Sequence, residues 1–107
     1  MRKGDLAKLT FSKVLCKREK KKEITHACVV SKYDEKQECV FLKVEDASRL
    51  EDVSLDAIYL CEIQDADCIT ACTGRVKERY RSAEGNVLRF QIENGFYKIN
   101  IKSLTNI

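Results

Sequence analysis

Apolar and polar residues alternate with a period of two along much of this chain, and the clearest alternation runs from Cys68 to Tyr80. In an extended chain, successive side chains point to opposite faces, so this stretch presents two sets of residues. One set is Cys68, Thr70, Cys72, Gly74, Val76, Glu78 and Tyr80, and the other is Ile69, Ala71, Thr73, Arg75, Lys77 and Arg79. The first set predicts the core face of a half-buried β-strand. After a turn, a second apolar row follows in Leu88, Phe90 and Ile92, and Asn94-Gly95 leads into a run that ends at Ile101.

Four segments upstream also show extended patterns, namely residues 6–16, 23–33, 38–44 and 55–63. Segment 38–44 (ECVFLKV) is apolar on both faces in its middle, which predicts a central strand. Residues 45–54 do not show this alternation. Turn-forming residues lie there between apolar residues whose spacing is close to that of a helix. We therefore expect one helical turn or an irregular connection that crosses an end of the sheet.

These patterns predict an all-β, mainly antiparallel fold. The chain contains no proline, so none of the predicted strands is barred from pairing by that residue. A small closed or partly open β-barrel of six to seven strands, with little helix, satisfies the pattern because closure removes exposed edges. An isolated glycine in a strand, here Gly74, predicts a bend or a close backbone approach at a barrel corner. At 107 residues, the chain is expected to form a single domain over residues 1–107.

Composition changes this picture little. The formal net charge is only +3, and no apolar run approaches the roughly 18 residues that a membrane-spanning helix needs. The N-terminus has basic residues but no apolar core of a signal peptide, so a cytoplasmic location without membrane insertion is expected. The six cysteines lie mostly within apolar strand patterns, and are expected to be reduced thiols that pack as small hydrophobic residues.

No catalytic or metal-binding motif is evident. Cys68 and Cys72 would lie about 13 Å apart along one strand, too far for a shared zinc ion. Cys28 and Cys61 are the remaining candidates for a zinc ligand. His26 precedes Cys28 by two residues, which separates the two side chains by roughly 6–7 Å. We therefore predict no enzyme, no metal and no cofactor.

Basic residues are the strongest candidates for binding a partner. One face of the predicted Cys68–Tyr80 strand carries a row of cations that would attract phosphates or an acidic partner. A second basic cluster lies in the connection 17–22. For both clusters, the alternative interpretation is an ordinary solvated outer surface, which charge runs usually indicate. The candidate binding residues are Arg75, Lys77, Arg79, Arg81, Lys20, Lys21 and Lys22.

The segments LDAIYLCEI, GRVKERYRS, VLRFQIE and FYKINI resemble the N-terminal β-barrel of the flagellar brake proteins, over residues 38–101. Those proteins are the partners of PilZ domains in cyclic diguanylate signalling, and their barrel carries a strand reading roughly G-x-V-x-x-R-Y. Residues 75–79 spell the RxxxR of the PilZ ligand site, but they lie within a strand and follow the D-x-S segment 46–51 instead of preceding it. The resemblance therefore implies the companion barrel, which contacts protein, and not the ligand site.

Three hypotheses for function follow. The first is a non-enzymatic bacterial regulatory or signalling module that acts through protein–protein contacts, with its partner and oligomeric state left open. The second is a small barrel that binds nucleic acid through the basic strand face, and its binding would weaken steeply with salt. The third is binding of a cyclic dinucleotide through Arg75 and Arg79.

Overall fold

The structure, a computed structural model, describes residues 1–11, 24–45, 49–65 and 68–100, with the backbone alone for 97–100. In this part of the chain, the strands are β1 Leu6–Phe11, β2 Thr25–Asp34, β3 Cys39–Val44, β4 Ile58–Gln64, β5 Cys68–Ser82 and β6 Gly85–Asn100. All pairings are antiparallel, and the order β1-β2-β3-β6-β5-β4 closes because β4 pairs with β1. The prediction of a small antiparallel β-barrel with little helix is confirmed.

Alternate residues of the strands fill the inside of the barrel. The largest of these are Tyr59, Phe90 and Leu9, each at most 1% exposed. Burying one side chain of this size stabilises the fold by about 1.5–3 kcal/mol. The period of two in the sequence therefore reflects the division between an apolar interior and a polar surface. The core consists of Ala7, Leu9, Cys28, Val30, Val40, Leu42, Val53, Tyr59, Cys61, Ile63, Cys72, Val76, Leu88, Phe90 and Ile92.

A sharp corner in the long β5–β6 hairpin lies at Gly74. A Cβ atom placed on this residue would lie 2.0 Å from the main-chain oxygen of Gln91 and 3.0 Å from Phe90 Cζ. The register of the two strands also shifts between Thr73 and Gly74. The predicted close backbone approach at Gly74 is confirmed, since only glycine leaves room for β6 to fold over β5 here.

A second irregularity in the hairpin lies at Lys77. Val76 pairs with Phe90 and Glu78 pairs with Arg89, so Lys77 is an extra residue on β5. After such a β-bulge, each side chain points to the face opposite to the one that the preceding alternation predicts for it. The prediction that Arg75, Lys77 and Arg79 form one row on one face is therefore wrong. Beyond the bulge, Arg79 pairs with the buried Leu88, whereas Glu78 and Tyr80 lie on the outside.

The connection from β3 to β4 crosses an end of the barrel, because these strands are not neighbours. Residues 49–57, here called the capping segment, contain a 3₁₀ turn at Leu50–Asp52. Val53 of this segment is fully buried and belongs to the core. The main-chain N–H of Ser54 donates a hydrogen bond to the Tyr59 hydroxyl at 3.0 Å. The predicted helical turn or crossing connection is thus a short 3₁₀ turn that closes the barrel end, with residues 46–48 outside the described part.

None of the described cysteines forms a disulfide. Cys28, Cys61 and Cys72 belong to the core, Cys39 is also buried, and Cys68 is half-buried at the start of β5. The four buried thiols therefore pack as small hydrophobic groups, as the sequence predicts. Cys68 differs, because its thiol donates to the Asp65 carboxylate at 3.4 Å, and Cys16 lies outside the described residues.

Candidate partner-binding site

Two of the predicted binding residues pair with acidic groups of the chain itself. Arg75 donates to the Glu93 carboxylate at 3.0 Å and to the main-chain oxygen of Asp56 at 2.5 Å. Lys77 lies 2.9 Å from Asp56 Oδ1. The hydrogen bond from Lys77, followed by its charge, lowers the pKa of the Asp56 carboxyl. Much of the positive charge that the sequence places on this strand is thus compensated within the molecule.

Arg79 has a different environment, which the bulge at Lys77 creates. Its guanidinium group donates hydrogen bonds to the main-chain oxygens of Leu50, at 3.3 Å, and Val53. Hydrogen bonds from a charged donor are stronger than neutral ones, and these two bind the carbonyl of the first residue of the 3₁₀ turn and that of the residue after it. Arg79 therefore holds the capping segment against the barrel end.

The three cations Arg75, Lys77 and Arg79 all contact the capping segment, but they do so from different sides of β5. The main-chain N–H of Asp56 also donates a hydrogen bond to the main-chain oxygen of Val76, at 3.0 Å. Arg75, Lys77 and Arg79 therefore all hold the capping segment on the barrel.

Arg81 is exposed and pairs in register with Asn86. The remaining candidates, Lys20, Lys21 and Lys22, lie outside the described residues.

A surface that the sequence did not single out lies on the outside of the sheet formed by β2, β3, β6 and β5. Phe41, Val87 and Tyr80 are all on the outer face, and they line a groove of about 350 Å³. Tyr80 is 39% exposed, whereas Val87 is almost fully covered. The result is a groove with an apolar floor and an accessible aromatic ring at its edge.

A second depression, of about 230 Å³, adjoins this groove. A hydrogen bond of 3.1 Å from Ser31 to Glu84 links β2 to the β5–β6 turn at the boundary that they share. Both depressions are lined by Ser31 and Glu84, and the two adjoining depressions are here together called the outer groove. Its other charged lining residues are Lys3, Lys32 and Lys43.

Two β-bulges explain why sequence reasoning missed the outer groove. The register shifts between Val30 and Lys32 in β2, and between Val76 and Glu78 in β5. These shifts bring Lys32 and Tyr80 to the outer face, against the alternation that precedes them. One signal was available: segment 38–44 is apolar on both faces, and its outward aromatic residue is Phe41.

The buried thiols and the histidine offer no accessible chemistry. Cys61 and Cys72 face each other across β4 and β5. A hydrogen bond to Cys72, together with burial, raises the pKa of the Cys61 thiol, and the same bond lowers the pKa of Cys72. Both thiols are at most 1% exposed, and His26 is 2% exposed. No substrate reaches them in this conformation, and among the described residues no group of three or more His, Cys, Asp or Glu is placed to hold a metal ion.

Comparison with known proteins found no matching family model, no matching curated protein and no matching solved structure. The resemblance to the flagellar brake barrel therefore stays a prediction. Within the part of the chain that the structure describes, no helix has the length and apolar character needed to cross a bilayer.

Proposed function

We propose that this protein is a non-enzymatic regulatory or signalling module that binds another protein through its outer groove. The observation that supports this proposal is the exposed ring of Tyr80 beside the apolar floor formed by Phe41 and Val87. Aromatic residues over an apolar floor are typical of the central contacts of protein–protein interfaces. A fold stabilised by its own closed core can present such a surface without rearranging.

Binding of nucleic acid, the alternative from the sequence, has weaker support. Arg75 and Lys77 contact carboxylates, and Arg79 contacts main-chain oxygens. Binding to phosphates would require these contacts to be exchanged, which reduces the gain from each new contact. The same pairing argues against a cyclic dinucleotide held between Arg75 and Arg79, since the bulge directs them to different sides of the strand.

Site-specific photocrosslinking tests the proposal. Tyr80 is replaced by p-benzoylphenylalanine, and the full chain is irradiated in a lysate of its source cells. The matched control carries the same group at Leu55, which is 44% exposed against 39% for Tyr80 and does not line the outer groove. We expect a discrete protein adduct from position 80 and none of the same mass from position 55.

Two outcomes would contradict the proposal. Equal adducts from both positions would mean that labelling follows exposure and not a binding surface. The second outcome combines two results. Position 80 gives no adduct, and a labelled oligothymidylate binds the protein at low salt but much more weakly as the salt concentration rises. These results would favour the nucleic-acid hypothesis instead.

A further inference from the structure

We infer that the outer groove binds an acidic, extended segment of a partner protein that carries an apolar or aromatic anchor residue. This inference rests on the proposed function and specifies the chemistry of the partner. The evidence is the charge of the groove and the arrangement of its apolar floor.

The charges of the outer groove are mainly positive. Its charged lining residues are three lysines, Lys3, Lys32 and Lys43, and one glutamate, Glu84. Lys43 lies 3.8 Å from Glu45 in an exposed pair, an interaction worth little in water. Three lysines against one glutamate leave the lining with a positive charge, which sets the sign that an incoming segment meets. A partner with carboxylates matches this pattern, and a basic partner is repelled by it.

The floor of the groove defines the second requirement. Val87 on β6 and Tyr80 on β5 pair in register and form a row, and Phe41 on β3 lies diagonally from Val87, in register with Arg89. This row crosses the strands, so a segment that follows it can place an anchor on the floor and its acidic residues near the lysines at either side. Burial of such an anchor supplies affinity, and the lysines supply orientation and specificity.

A peptide fits these features better than a nucleic acid does. Binding to single-stranded nucleic acid uses several aromatic platforms along a basic path. The outer groove has one exposed aromatic residue, Tyr80. A second copy of the chain would need to bring a matching acidic surface, and dimer formation is one outcome of the test below.

Selection from a library of random peptides displayed on phage tests the inference with the intact chain as the target. We expect the enriched peptides to be acidic and to share an aromatic or branched aliphatic residue. A synthetic peptide of the enriched sequence is then titrated by fluorescence polarisation. Replacing Lys32→Glu should weaken its binding about tenfold, because a like charge would face the peptide.

Lys36→Glu is the matched control. It makes the same charge change at an exposed residue of the β2–β3 turn, which does not line the groove. The affinity of this variant for the peptide should stay within about twofold of the wild-type affinity, because only the net charge of the protein changes. Phe41→Ser should weaken binding of the same peptide, but this variant should still prefer acidic peptides. Circular dichroism verifies that each variant is folded.

Enriched peptides that are neutral or basic, or equal losses in Lys32→Glu and Lys36→Glu, would overturn the inference. So would enrichment of no peptide, or a dimer in sedimentation that Tyr80→Glu dissociates. The crosslinking experiment separates this failure from that of the proposed function. An adduct at position 80 without acidic peptides would refute only the acidic partner, whereas loss of both results would refute protein binding at this surface.

Discussion

The corner at Gly74 allows a quantitative prediction for Gly74→Ala. The added Cβ would lie 2.0 Å from the main-chain oxygen of Gln91, where contacts between carbon and oxygen are normally no shorter than about 3.3 Å. The clash is with main chain, so no side-chain rotation relieves it and β6 must move by about 1 Å. Overpacking of this kind costs about 1–3 kcal/mol, and we expect the upper end or more. That is a large fraction of the roughly 5–15 kcal/mol that stabilises a domain.

Urea unfolding followed by circular dichroism measures this effect. With a slope of about 2 kcal/mol per molar urea, a loss of 3 kcal/mol lowers the midpoint by about 1.5 M. Gly95→Ala is the matched control on the partner strand, because a Cβ there meets no atom within 4 Å. It should change the free energy of unfolding by at most about 0.5 kcal/mol. If the two variants unfold at the same urea concentration, the close approach at Gly74 does not constrain the fold and the reasoning is refuted.

Three further predictions concern the capping segment. Arg79→Met removes the hydrogen bonds to Leu50 and Val53 and should destabilise the fold by about 1.5–3 kcal/mol, whereas the exposed Arg81→Met should cost at most about 0.5 kcal/mol in the same urea titration. Tyr59→Phe removes the hydroxyl that accepts from Ser54 and should cost about 1 kcal/mol, and an unchanged midpoint would show that this bond does not stabilise the fold. Because Lys77 lowers the folded-state pKa of Asp56, this pair should stabilise the fold above about pH 4 and lose its effect as the pH falls through the lowered value. The difference in unfolding midpoint between wild type and Lys77→Met should therefore shrink from pH 7 to pH 3, and a constant difference would contradict the role of this pair.

The sequence predicted the strands well because burial on one face produces a period of two directly. The β5 strand illustrates both the strength and the limit of this reasoning. Up to Val76, the alternation correctly separates the core residues from Arg75, and Gly74 correctly marks the corner. Beyond Lys77 it fails, because one extra residue reverses the faces and no local sequence feature indicates a bulge there.

The same limit applies to the candidate site. A row of basic residues in a sequence does not indicate whether acidic partners lie nearby in space. Asp56, which contacts both Arg75 and Lys77, lies about 20 positions earlier in the chain, and its place is set by the barrel closure. The outer groove likewise combines residues from β2, β3, β5 and β6, and its lining depends on two register shifts. Pairings over long sequence distances decide both features.

The placement of the thiols has a consequence for the lifetime of the protein in the presence of electrophiles. Cys68 is half-buried and reacts through small local motions, whereas the buried Cys61 and Cys72 become reachable when the barrel opens. Alkylation forms a stable thioether, and the added group does not fit the packed interior, so each modification of these two thiols prevents the barrel from closing again. At high reagent concentration, the survival of the protein is then set by the rate of barrel opening and not by its equilibrium stability. The slow phase of alkylation would thus measure how often the closed barrel opens.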